Sequence, residues 1–146
     1  MASMISSQHN SNTYAEFRLG MLAEDRSLST VRNLVDSALM SWGLPHVVDD
    51  ARVVMNELAT NGIEAAPGDW MEIAIELQPD GVLLSCWDCC PDLPLAPELV
   101  DLDAEGGRGL FVVAAYSAKH GTTLSPDREG KAVWAVLATS PDKEAV

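Results

Sequence analysis

Glu57 and Asn61 stand four residues apart in a segment with helical periodicity, so they share one face of a helix. An amide oxygen can ligate Mg²⁺, and a carboxylate can accept the proton of an attacking hydroxyl. The same spacing also suits a solvated glutamate beside a locally bonded asparagine. Asp88 closes an apolar run. A carboxylate at a strand end can accept a hydrogen bond from the exocyclic amine of a base, or can simply open a turn. Glu105-Gly106-Gly107-Arg108-Gly109-Leu110 leads into a short apolar segment. Glycines there let backbone approach a ligand, and free amides at a helix start favour phosphate. A plain flexible turn reads equally well, and the spacing is not that of a dinucleotide-binding strand–turn–helix.

Other groups offer less. Cys86-Trp87-Asp88-Cys89 is formally a C-x-x-C pair. One pair cannot close a four-ligand zinc site, and Pro91 and Pro94 follow where a redox motif would open a helix. The cysteines read as small hydrophobes. His9, His46 and His120 form no constellation in the sequence.

These residues need elements to hold them. Tyr14, Phe17 and Leu19 suggest an edge strand, and Ser27 and Ser29 are candidate helix caps. Val31, Leu34, Val35, Ala38, Leu39 and Trp42 form a helical stripe, ended by Gly43 and Pro45. A second helix is expected from about Val47 to Ala66, with Val47, Ala51, Val54, Leu58 and Ala65 buried. Met71, Ile73, Ile75 and Leu77 alternate as a strand, and Pro79-Asp80-Gly81 turns the chain. The apolar run from Val82 to Trp87 predicts a central, buried strand. Residues 89–106 hold three prolines and five acids without a period, so a long functional loop is expected. A short buried helix follows Gly109, then strands at Ser117 to Leu124 and Ala132 to Ala138. Strands do not alternate with helices. The expected fold is α+β: a mixed, mostly antiparallel sheet with helices on one face. Residues 13–139 would form the domain, between polar tails at 1–12 and 140–146.

Composition narrows the class of partner. The chain has 146 residues, which suits one core. Its net charge is −13. Such a surface repels nucleic-acid backbones and anionic membranes, so no direct nucleic-acid or membrane partner is expected. A triphosphate would need Mg²⁺ to mask its charge. No secretion signal or membrane span is expected from the first residues or the apolar runs. Three clustered cysteines do not make a secreted disulfide framework, which points to the cytoplasm.

Order and spacing carry more than the pieces. Val54-Met55-Asn56-Glu57-Leu58-Ala59-Thr60-Asn61-Gly62-Ile63-Glu64-Ala65-Ala66 resembles the N box of the GHKL, or Bergerat-fold, ATPases. The strand ending at Asp88 resembles their first glycine box. Glu105 to Leu110, leading into Phe111-Val112-Val113, resembles the second. The helix around Arg32 and Gly130-Lys131-Ala132-Val133-Trp134 fit as well, so the resemblance covers about residues 14–138. The subgroup it is most similar to is the small anti-sigma-factor serine kinases and related stand-alone ATP-binding regulators of actinobacteria.

The resemblance implies ATP and Mg²⁺ as cofactors. It implies Glu57 as general base, Asn61 as Mg²⁺ ligand and Asp88 as acceptor for the adenine amine. Gly107, Arg108, Gly109 and Leu110 would surround the phosphates, and residues 89–106 would be the ATP lid. It implies transfer of phosphate to a serine of an antagonist protein, with a sigma factor or other transcription regulator as partner, and allows a homodimer. Two departures stand out. The first glycine box, usually Asp-x-Gly-x-Gly, reads Asp88-Cys89-Cys90-Pro91-Asp92, and the N box has Ala65 where histidine is frequent. The alternatives are a non-catalytic ATP-dependent binding switch, or a degenerate fold without nucleotide.

Overall fold

The structure is a computed structural model and describes residues 13–93 and 108–140. The expected tail at 1–12, the expected tail at 140–146 apart from Ser140, and most of the expected lid lie outside the described residues.

The elements run β1 (Ala15–Leu22), α1 (Leu28–Ser41), α2 (Val48–Ala65), β2 (Trp70–Gln78), β3 (Gly81–Asp88), α3 (Arg108–Tyr116), β4 (Lys119–Leu124) and β5 (Lys131–Ala138). They build the expected α+β fold. The strands form one five-stranded sheet in the order β1-β2-β3-β5-β4. Each neighbouring pair is antiparallel. β1 lies at an edge and β3 at the centre, as their sequences predict.

α2 is the middle helix, packing on α1, α3 and β3. Its buried residues, Ala51, Val54, Met55, Leu58, Ala59, Gly62 and Ile63, recur at helical spacing. Asp49 and Asp50 in its first turn complement the positive end of the helix dipole. Opposite them the sheet contributes Met71, Ile73, Ile75, Val82, Leu84, Cys86, Val133, Ala135 and Leu137 to one core.

Three expectations are corrected. β3 is buried on one face only: Val82, Leu84, Cys86 and Asp88 are buried, while Leu83, Ser85 and Trp87 between them are half-buried. An antiparallel sheet covered by helices on one side leaves the other side partly open, however apolar the run. α3 buries Val113 and packs Leu110 on the core, but Phe111 and Tyr116 stay exposed. Ser27 occupies the cap position of α1 without capping it: its hydroxyl donates to the Leu22 carbonyl at 2.8 Å. A 3₁₀ turn at Asp25–Ser27 precedes the helix, and the Leu28 amide bonds to the Asp25 carbonyl instead. The Ser29 hydroxyl likewise turns back to Arg26.

On the open face, Arg128 holds the turn between β4 and β5 against the sheet. Its guanidinium lies 3.7 Å from the centre of the Trp87 ring. It also donates to both carboxylate oxygens of Glu72, at 3.1 and 3.2 Å. Trp87 Nε1 donates to Ser125 Oγ at 2.6 Å. These contacts fix the chain just before Lys131.

Candidate nucleotide-binding site

α2 carries Glu57 and Asn61, both half-buried, on its flank rather than in the apolar stripe. The Asn61 Oδ1 atom is buried and has no hydrogen-bond partner among the described residues. Leaving a buried amide oxygen unpaired costs on the order of 1–3 kcal/mol. A hard cation accepts such an oxygen as a ligand.

α3 meets α2 at Gly109. Any side chain at this position would collide with the Glu57 carboxylate. The contact is with Glu57 Oε2, the mobile end of that side chain, and this close approach joins the two motifs that the sequence separates by about fifty residues. Burial pushes the Glu57 carboxyl above the usual carboxylate range, and the Glu64 carboxylate adds to the shift. A carboxylate made more basic in this way suits proton acceptance near neutral pH.

Asp88 ends β3 on its helix-facing side and is 0% exposed. Its Oδ1 accepts from Lys131 Nζ at 2.9 Å and from the Cys90 amide at 2.9 Å. Lys131 sits directly opposite on β5, is 2% exposed, and also donates to the Cys90 carbonyl at 2.9 Å. The other carboxylate oxygen, Asp88 Oδ2, is buried without a partner among the described residues. At the altered first glycine box, the Cys90 N–H and C=O are both committed to the Asp88–Lys131 pair.

The residues present fit a Mg²⁺–nucleotide in two respects. Asn61 offers an orphaned hard oxygen and Asp88 offers an orphaned acceptor. Among the described residues, no group of three or more His, Cys, Asp or Glu is placed to hold a metal ion. A Mg²⁺ here would rely on Asn61 and on oxygens of the nucleotide and water. Glu105, Gly106 and Gly107 lie outside the described residues, and Arg108 is described only as the first residue of α3. Leu110 packs on the core beneath the site. Arg32 is exposed on α1.

Cys86 belongs to the hydrophobic core. Its thiol lies in the core, 4.0 Å from Met71 Sδ, and burial pushes its pKa up to about 12. All three cysteines are free.

Lys131 is the residue that reading for motifs overlooks. A signal was available: Lys131, Val133, Ala135 and Leu137 alternate as one face of β5. A lysine on a buried strand face requires a carboxylate partner.

A helix layer on an antiparallel sheet, with an acid–amide helix packed on a glycine-led helix, defines a class of nucleotide-binding domain. The family profile of the histidine kinase-like ATPase domain matches residues 21–137. The chain belongs to that family, the GHKL type of ATP-binding domain. No curated protein matches it.

Proposed function

We propose that the chain is a Mg²⁺-dependent ATP-binding regulator that transfers the γ-phosphoryl group of ATP to a serine of an antagonist protein. By this means it controls a sigma factor or other transcription regulator. The observation that carries the reading is the seating of Gly109 against Glu57, with the Asn61 oxygen left unpartnered on the same helix.

In this reading Glu57 accepts the proton of the serine hydroxyl as its oxygen bonds to the γ-phosphorus. The bond from that phosphorus to the bridging oxygen breaks, and ADP leaves. Asn61 would hold Mg²⁺, which when bound would supply neutralisation of phosphate charge. The Asp88 Oδ2 atom accepts from the base. Gly107, Arg108, Gly109 and Leu110 surround the phosphates. Reduced cysteines and an acidic surface suit cytoplasmic work on protein partners rather than on nucleic acid.

The decisive measurement mixes the protein, Mg-ATP and a serine-bearing antagonist, and follows phosphate onto the serine. Transfer that disappears in Glu57→Ala, with ATP binding retained, supports the kinase. ATP binding without transfer overturns it.

The commitment of the Cys90 peptide to Asp88 and Lys131 favours a second reading. In that case ATP orders a surface that grips a regulator without turnover. Partner affinity would then depend on ATP and survive Glu57→Ala.

A further inference from the structure

The buried pair at the head of β3 and β5 leaves two hydrogen-bonding groups unspent. Lys131 has three ammonium hydrogens, and two are used, on Asp88 Oδ1 and the Cys90 carbonyl. Among the described residues no acceptor takes the third. Asp88 uses Oδ1 twice and Oδ2 not at all. A donor and an acceptor therefore lie side by side at a buried place, held there by the same ion pair.

An ion pair this buried is an expensive way to gain stability, since apolar side chains of similar volume do as well or better. Its position is also over-determined. Gly130 adopts φ +148°, and a side chain there would strike the Asp88 carbonyl and the Trp87 ring. Arg128 and Ser125 clamp the preceding turn through Trp87 and Glu72. Lys131 is thus delivered to Asp88 by a rigid turn, not by a free side chain finding a charge.

We propose that Lys131 reads the base together with Asp88. Its third hydrogen is donated to the ring nitrogen N1 of adenine, while Asp88 Oδ2 accepts from the neighbouring 6-amino group. The adenine edge presents a donor beside an acceptor, which is the complement of what the pair leaves open. This inference rests on the ATP-binding reading above and adds to it a base-contacting residue that supplies direct selectivity at N1.

The test is calorimetric titration of the full chain, with Mg²⁺ present, against ATP, 1-deaza-ATP and GTP. 1-Deaza-ATP keeps the 6-amino group and replaces N1 by C–H. Loss of a hydrogen bond from a charged donor is expected to weaken it about ten- to a hundredfold relative to ATP. The variant Lys131→Met is expected to bind ATP and 1-deaza-ATP alike. If that variant fails to fold because Asp88 is stranded, the comparison of ligands on the unaltered protein still decides the matter. ATP and 1-deaza-ATP bound equally by the unaltered protein overturns the role of Lys131 and leaves nucleotide binding intact. GTP bound more tightly than ATP overturns the adenine assignment. Failure of ATP to bind overturns the underlying reading and this inference with it.

Discussion

Asn61 and Glu57 sit one turn apart yet answer to different physical constraints. The Asn61 oxygen is buried and unpartnered, so a ligand that pairs it recovers a desolvation cost already incurred in the fold. Asn61→Ala is expected to weaken Mg-ATP at least about tenfold by titration while leaving the thermal midpoint unchanged or raised. Glu57 is held above the ordinary carboxylate range by burial and by Glu64. Between its ordinary value and this raised one, the folded protein holds a proton that the unfolded chain has lost. Its contribution to stability therefore declines as pH rises through that window. The proposed phosphoryl transfer would run the other way, because only the deprotonated form can act as base. Its rate is expected to fall as pH drops through the raised pKa, and Glu57→Gln to remove that limb along with the transfer. Gly109→Ala is expected to displace the Glu57 carboxylate from its place beside α3, lowering phosphate transfer in the proposed kinase reaction with secondary structure retained in circular dichroism.

The elements supply the rigidity that such a site requires. α2 packs on two helices and on the central strand, so its orientation is set by the core rather than by the site. Leu58, fully buried on α2 one residue from Glu57, is the place to test this. Leu58→Ala is expected to cost about 2–5 kcal/mol of stability in denaturant unfolding, through lost burial plus the cavity left behind. The turn before β5 is held differently, by charge and ring contacts on the open face. Burial works against ionisation of Glu72, but the hydrogen bonds from Arg128 and its charge prevail and hold the carboxyl below its ordinary range. Stability from this contact is present above the ordinary carboxylate pKa and is lost as pH falls through the lowered one. Thermal midpoints followed downward through that range should fall, and Arg128→Ala should flatten the slope.

For the whole molecule, charge sets the terms of binding. With a net charge of −13, the chain meets a bare triphosphate with long-range repulsion. Chelation of Mg²⁺ is expected to reduce ATP affinity at least about tenfold, more at low salt than at high, because screening shortens the reach of the repulsion. Bound nucleotide should in turn stabilise the fold. At a free concentration one hundred times its dissociation constant the gain is about 2.7 kcal/mol, read as a raised unfolding midpoint. No helix among the described residues is long and apolar enough to cross a membrane.

Local pattern carried far in this chain, because periods of 3.6 and 2 residues are written directly into apolar spacing. The stripe from Val31 to Trp42, the alternation from Met71 to Leu77 and the turn at Pro79-Asp80-Gly81 each foretold an element within a few residues. Motif order is what proposed roles for Glu57, Asn61 and Asp88. Pattern misjudged β3, because an apolar run does not say how many of its faces are covered. It misjudged Ser27, because a hydroxyl can turn to a carbonyl that only the fold brings near. The sequence by itself determined the elements, the family motifs and the acidity that calls for a masked phosphate. Tertiary structure alone decided that Gly109 lies on Glu57, and that Lys131, forty-three residues from Asp88, is its partner. Both contacts are made across elements, where distance along the chain carries no information about distance in space.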